Sequence, residues 1–237
     1  MPRSKRECPD GLIYHVLNRS VAGIALFKSD RDYEAWEATL RDAILRYPID
    51  LLAYCAMPNH FHLVLRPRKD GDLSKFMQWF TLAHVQRWRF AHQTVGYGPL
   101  YQGRFKSFAI EADDHLITVL RYVERNAVRA GLVDDVANWR WGSFYTRGAK
   151  ESPVHEHLIA WPVDVPKDWR RFLNKPQTRA EEEAMRKSIQ RSCPFGSPAW
   201  QERIAKRLML KSCFRPVGRP RRSNVISRVR RTSERTA

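Results

Sequence analysis

Two histidines separated by one residue have a spacing that could bind a metal ion. They are His60 and His62, within Pro58-Asn59-His60-Phe61-His62-Leu63-Val64. Side chains alternate along a strand, so both imidazoles would point to one face, while Phe61 and Leu63 would point to the other face and anchor the strand. Neutral imidazoles bind divalent ions well. The pattern predicts half of a metal site; the alternative is a pair of polar residues on the solvent face of a sheet.

A tyrosine on the flank of a predicted helix is the candidate nucleophile. Over residues 114–130, apolar residues recur at three- and four-residue spacing, and Tyr122 lies beside that stripe with Asn126 one turn further on. A phenol is a weak nucleophile at neutral pH, but a metal ion and a cation such as Arg129 favour the phenolate. The spacing equally allows a boundary tyrosine whose hydroxyl reaches water. His115 shares this flank, and we expect it to contact DNA or the metal ligands.

The sequence predicts both the sheet and the helix that these side chains need. Strands are predicted over residues 12–17, 50–57, 60–66 and 105–110, with Pro58-Asn59 as a tight turn. Amphipathic helices are predicted from Ser29 or Asp30 to Tyr47, over residues 72–92, and from Asp113 or Asp114 to Gly131. The order βαββαβα fits the α+β class, as a ferredoxin-like antiparallel sheet with helices on one face.

Composition divides the chain into four parts. Residues 1–147 contain all the features above, residues 148–177 are rich in proline, residues 178–213 contain two short predicted helices, and residues 214–237 are basic. Thr178 and Glu181 form a capping-box pattern at the start of the first short helix. We expect a catalytic domain, a linker, a small helical extension with a possible helix-turn-helix, and a disordered basic tail.

The charge balance predicts an anionic partner. Lysine and arginine number 42 against 25 acidic residues, a net charge of +17 over 237 residues. No basic amphipathic helix with a strongly apolar face stands out, so nucleic acid is favoured over a membrane surface. In the tail, Val217-Gly218-Arg219-Pro220-Arg221 is similar to a minor-groove AT-hook. Arg219 and Arg221 would enter the groove, although non-specific phosphate binding is the favoured account.

The remaining signals concern location and cysteine chemistry. The first residues lack the apolar block of a secretion signal, and the longest apolar run, near residues 51–57, is shorter than the ~20 residues that span a bilayer. We therefore expect a cytoplasmic protein. Cys8, Cys55, Cys193 and Cys213 form no C-x-x-C pair, which favours reduced thiols over a zinc ribbon or a redox motif.

Four sequence blocks resemble, in the same order, the REP-associated tyrosine transposases. This family is a branch of the single-tyrosine HUH transposases of prokaryotic mobile elements. The blocks are residues 57–64, Tyr101-Gln102-Gly103-Arg104-Phe105-Lys106-Ser107, residues 121–133 and Trp139-Arg140-Trp141-Gly142-Ser143. The resemblance covers about residues 12–144, and four blocks in order are far more specific than any one of them.

The resemblance implies the HUH fold and a role for each candidate residue. His60, His62 and Asn126 would be ligands of a magnesium or manganese ion, and Tyr122 would attack a DNA phosphate. The products would be a 5′-phosphotyrosine and a free 3′-hydroxyl, a linkage that conserves bond energy, so rejoining the strand needs no ATP.

The resemblance also implies a substrate. Such an enzyme acts on single-stranded, hairpin-forming DNA in the prokaryotic cytoplasm, in association with the nucleoid, and we expect Arg104, Lys106, Arg129 and His115 to contact that DNA. The oligomeric state, monomer or homodimer, stays open. One alternative is a binding protein, derived from such an enzyme, that recognises DNA or structured RNA without cutting it. Another is a metal-dependent hydrolase of other phosphodiesters, for which Tyr122 would be dispensable.

Overall fold

Four antiparallel strands form the sheet on which the candidate residues lie. The computed structural model describes residues 8–210 and 213–214. The strands are β1 (Ile13–Arg19), β2 (Ile49–Met57), β3 (His60–Pro67) and β4 (Lys106–Ile110). Their order across the sheet is β2-β3-β1-β4. The four predicted strands and the β2–β3 hairpin are confirmed, and β1 lies directly beside the histidine strand β3.

The described residues also form eight α-helices. They are α1 (Asp30–Arg46), α2 (Asp72–Ala91), α3 (Asp114–Glu124), α4 (Asn126–Arg129), α5 (Ser143–Gly148), α6 (Trp169–Asn174), α7 (Arg179–Arg191) and α8 (Pro198–Arg207). Capping boxes begin α1, at Ser29 and Asp32, and α7, at Thr178 and Glu181. None of the described helices combines the length and the apolar character needed to cross a membrane.

The α+β class and the antiparallel sheet are confirmed, but the helices cover both faces of the sheet rather than one. On one face, Trp36 of α1 and Phe80 of α2 pack against Phe61. On the other face, α3 packs its apolar stripe against Val64 and its neighbours. The reason is visible in β2, which is buried at every position and therefore needs cover on both sides.

The C-terminal elements pack onto this sheet as well. Phe195 pairs with the edge strand β4, donating its N–H to the Ala109 carbonyl at 2.8 Å. Met185 of α7 is buried on the α3 face, whereas Trp200 of α8 is buried on the α1–α2 face, so the segment passes around the edge of the sheet. The Pro-rich span also packs on the core, since Trp169 donates to Glu124 at 2.7 Å. The four-part domain division stays a prediction. Apart from Phe214, the predicted basic tail, which contains Arg219 and Arg221, lies outside the described residues.

Candidate active site

His60 and His62 share the sheet face that α3 covers. Their ring centroids are 5.0 Å apart. Phe61 and Leu63 point to the opposite face and are fully buried there. The apolar residues thus fix β3 in the core and hold the two imidazoles side by side, which is the arrangement that the H-x-H spacing predicts.

Each of these histidines has one ring nitrogen engaged. Nδ1 of His60 lies 2.7 Å from Oδ1 of Asn59, and Nδ1 of His62 lies 2.8 Å from Nε2 of His15. Nε2 of His62 is buried and has no hydrogen-bond partner among the described residues. Most buried polar atoms have a hydrogen-bond partner, and a bound ion is one explanation for an atom that has none. The two Nε2 atoms are therefore the candidate metal-binding atoms.

Burial keeps both histidines neutral at neutral pH. It lowers the pKa of His60 to about 4, and the charges of Arg19 and Arg129 act in the same direction. The pKa of His62 lies well below its ordinary range for the same main reason, desolvation of the charged ring. A neutral imidazole offers a lone pair to a metal ion, whereas a protonated one does not.

His15, which the sequence analysis missed, is the third histidine of this group. It lies on β1, next to β3, where Leu17 pairs with His62. Its side chain is 1% exposed and its ring stacks on Phe108 at 4.8 Å. Burial lowers the pKa of His15 to about 3.

Tyr122 packs its ring edge-on against the histidine group. The ring centroid lies 5.7 Å from that of His62 and 6.3 Å from that of His15. The side chain is 7% exposed, because Val119 and Val123 of the same helix bury their stripe against the sheet and hold Tyr122 close to it. The hydroxyl is thus directed into the site and accepts a hydrogen bond from a side chain, Arg129.

Arg129 joins Tyr122 to Asn126. Its Nη2 donates to the Tyr122 hydroxyl at 3.2 Å and to Oδ1 of Asn126 at 2.9 Å. Burial raises the pKa of Tyr122 above its ordinary value, and the positive charge of Arg129 acts in the opposite direction. Asn126 is 1% exposed. The single predicted helix is interrupted at Arg125, so Asn126 begins the short helix α4.

A polar cleft of about 550 Å³ opens in front of these residues. His60, His62, Tyr122 and Arg129 line it together with groups from three other parts of the chain. β1 contributes Asn18 and Arg19, and α7 contributes Glu182, Arg186 and Gln190. Gln102 and Arg104 lie in the loop before β4, and Lys106 is the first residue of β4. The structure thus brings Arg104, Lys106 and Arg129 to one cleft, as their expected role requires.

His115 lies outside this cleft. It lies in the first turn of α3, where Asp113 is the N-cap and accepts from the His115 backbone N–H. Nδ1 of His115 is 2.8 Å from Oδ1 of Asp113, and its ring packs edge-on against Phe195. Glu111, Asp113 and His115 together offer three metal-ligand atoms that lie within 4.8 Å of one another. This group is partly exposed and separate from the lining of the cleft, so contact of His115 with DNA or with the metal ligands stays a prediction.

Comparison with known proteins identifies the family. A family model described as "Transposase IS200 like" matches residues 9–126, a range that contains His60, His62, Tyr122 and Asn126. The chain belongs to this family. A putative REP-associated tyrosine transposase of Haemophilus influenzae is 27% identical over an alignment of 107 residues that covers 42% of this chain and 61% of that relative. The resemblance inferred from the sequence blocks is confirmed.

The fold of this chain is also similar to a solved one. A REP-associated tyrosine transposase bound to a REP hairpin superposes with a TM-score of 0.51 at 20% identity, over 72% of this chain and 96% of that chain. At this identity the similarity concerns the fold. It supports the sheet and helix arrangement that holds the histidine pair and the tyrosine together.

Sequence reasoning missed the contributions of distant segments to the site. Alternation along β1 predicts which face of the strand carries His15. No local pattern predicts that β1 lies beside β3. Likewise, Glu182 and Arg186 belong to a helix that was predicted correctly in extent, but no local signal shows that it lies beside Tyr122.

Proposed function

We propose that this protein is a metal-dependent DNA strand transferase with Tyr122 as its nucleophile. It would cut and rejoin single-stranded, hairpin-forming DNA through a 5′-phosphotyrosine. The observation that carries the proposal is the packing of the Tyr122 ring against His62, whose buried Nε2 has no partner among the described residues. A tyrosine and an imidazole nitrogen without a hydrogen-bond partner in one cleft suit metal-assisted attack on a phosphodiester.

The residues present fit a divalent ion. His60 and His62 would bind it through Nε2, and Asn126 would bind it through Oδ1. That oxygen already accepts from Arg129, but a carbonyl oxygen has a second lone pair. Imidazole nitrogen is a donor for divalent transition metals, and the amide oxygen is a donor that manganese and magnesium accept. When bound, the ion would supply Lewis acidity at the scissile phosphate.

Tyr122 would carry out the covalent step. Its phenolate oxygen forms a bond to phosphorus, the bond from phosphorus to the 3′ oxygen breaks, and that oxygen takes up a proton. The Arg129 hydrogen bond favours the phenolate, and the phenol proton passes to water in the cleft. Attack by a 3′-hydroxyl on the phosphotyrosine reverses the step and rejoins the strand, because the number of phosphate ester bonds stays constant.

Single-stranded hairpin DNA is the substrate that the cleft and the comparisons support together. The solved relative is bound to a REP hairpin. In this chain, Arg19, Arg104, Lys106 and Arg186 line the cleft and offer positive charge to a phosphate backbone. The net charge of +17 favours the same class of partner.

The test is covalent capture of DNA. The full chain is incubated with 3′-labelled single-stranded hairpins and Mn²⁺ or Mg²⁺, and the label is followed on a denaturing gel, because the 5′-phosphotyrosine retains the 3′ fragment. The proposal expects a metal-dependent adduct that Tyr122→Phe and His62→Ala abolish. Tyr97→Phe, which removes a hydroxyl from an exposed tyrosine, is the matched control and retains it.

The outcomes separate the alternatives. Tight hairpin binding without an adduct, across varied hairpins, would leave a DNA- or RNA-binding protein. Metal-dependent cleavage that survives Tyr122→Phe would leave a hydrolase of phosphodiesters.

A further inference from the structure

His15 is a buried histidine for which the proposed transfer reaction has no direct use. Its Nε2 lies 2.8 Å from Nδ1 of His62. Phe108 stacks on its ring, and the side chain is 1% exposed, so it does not reach the cleft. Besides its edge-on ring contact with Tyr122, His15 meets the site through this hydrogen bond to His62.

A hydrogen bond between two neutral imidazoles has only two forms. Each neutral ring carries one N–H and one lone pair. If His62 donates from Nδ1 to His15, the Nε2 atom of His62 has the lone pair. If His15 donates instead, the Nε2 atom of His62 carries the proton, which leaves a buried N–H group without an acceptor among the described residues.

The neighbouring ligand position favours the first form. Nδ1 of His60 faces Oδ1 of Asn59 at 2.7 Å. A carbonyl oxygen only accepts, so His60 donates from Nδ1 and has its lone pair on Nε2. The first form of the His15–His62 pair gives His62 the same arrangement, with both Nε2 lone pairs available to one ion.

We propose that His15 is a positioning residue for the metal ligand His62. It accepts the Nδ1–H of His62, and this fixes both the orientation of that ring and the tautomer whose Nε2 atom can bind an ion. Partners that hold the second nitrogen of a ligand histidine are usually carboxylates or carbonyl groups. Here an imidazole on the adjacent strand has that role. This inference rests on the proposed metal-dependent function.

The test combines a measurement on the metal-free protein with a metal titration. Long-range ¹H–¹⁵N spectra of histidine-labelled protein report which nitrogen of His62 carries the proton. Mn²⁺ affinity is measured by electron paramagnetic resonance for the wild type, His15→Phe and His15→Gln. Phenylalanine fills the space without an acceptor, whereas the glutamine Oε1 can accept from Nδ1.

We expect the proton of His62 on Nδ1 in the wild type. His15→Phe raises the dissociation constant for Mn²⁺ by about 10–100-fold, the usual effect of removing such a partner, and His15→Gln restores most of the affinity. His84→Phe is the matched control. It removes another buried histidine, which is hydrogen-bonded to Tyr101 at 2.8 Å on the opposite face of the sheet. This variant should leave the Mn²⁺ affinity unchanged.

Two results overturn the inference. One is a wild-type His62 that carries its proton on Nε2, which needs no variant to fold. The other is a His15→Phe variant, folded by circular dichroism, that binds Mn²⁺ as tightly as the wild type. A wild type that does not bind Mn²⁺ at all would instead overturn the proposed metal-dependent function, so the two failures are distinguishable.

Discussion

The guanidinium of Arg129 lies over the ring of Tyr122, 4.7 Å from its centroid, and donates to the hydroxyl at 3.2 Å. The same nitrogen donates to Asn126 at 2.9 Å. One cation therefore holds the proposed nucleophile and a proposed metal ligand in a fixed relation. It also opposes the effect of burial on the pKa of the phenol.

Arg129→Met should slow formation of the covalent adduct by about 10–100-fold, because a hydrogen bond from a charged donor contributes about 1.5–3 kcal/mol. The pH profile of the rate should also move to higher pH, since the phenolate loses its nearest positive charge. Single-turnover rates over a pH series measure both effects. Arg140→Met, which removes a guanidinium stacked on Trp141, is the control, and equal profiles for the two variants would contradict the prediction.

Glu182 of α7 acts on the same tyrosine in the opposite direction. It lines the cleft, and its negative charge raises the pKa of Tyr122. Glu182→Gln should therefore increase the adduct rate about 2–5-fold at neutral pH and move the profile to lower pH, a size typical of a partly exposed charge. Glu183→Gln makes the same change at the next, exposed position. The electrostatic account fails if both variants, or neither of them, change the rate.

Local patterns predicted most of the fold because they depend on neighbouring residues. The alternation around His60 and His62 predicted the strand and its orientation, and the capping residues Ser29 and Thr178 predicted the starts of α1 and α7. The histidine pair and Tyr122 were identified for the same reason, as each lies within one periodic segment. That helices cover both faces of the sheet could not be predicted, because it depends on how deeply the strands are buried.

The rest of the site depends on contacts between distant parts of the chain. His15 meets His62 across 47 positions of sequence, because β1 pairs with β3. Glu182 reaches the cleft because α7 packs on the α3 face of the sheet, where its Met185 is buried, and Phe195 then pairs with β4. Neither pairing has a local signal, so single-sequence reasoning could identify the helix α7 but not its place beside Tyr122.

Gly196 permits the close approach on which this C-terminal docking depends. A Cβ atom at this position would lie 2.6 Å from the Trp200 ring and 2.7 Å from the carboxylate of Glu111. Gly196→Ala should lower the free energy of unfolding by about 1–3 kcal/mol, the usual cost of overpacking. Gly98→Ala is the matched control, since a Cβ atom there has no neighbour within 4 Å. Urea unfolding measures both variants, and equal midpoints would show that the contact yields without cost.

Buried histidines should make the protein less stable as the pH is lowered. Burial lowers the pKa of His15 and of His84 from the ordinary 6.5 to about 3 in the folded chain. Between these values the unfolded chain holds one more proton per histidine, so the free energy of unfolding falls as pH falls, by ~1.4 kcal/mol per pH unit for each histidine. Above the unfolded pKa neither residue contributes to this dependence.

The measurement is urea unfolding of the metal-free protein between about pH 6 and about pH 4. His15→Gln and His84→Gln should each reduce the slope of stability against pH by about one proton. The double variant should reduce it by about two, because the residues lie on opposite faces of the sheet and their effects should add. Carboxylates titrate in the same range, but their contributions are common to all four proteins and cancel in the differences. Slopes that coincide with the wild type would mean that these histidines are protonated in the folded state over this pH range, which would contradict the prediction.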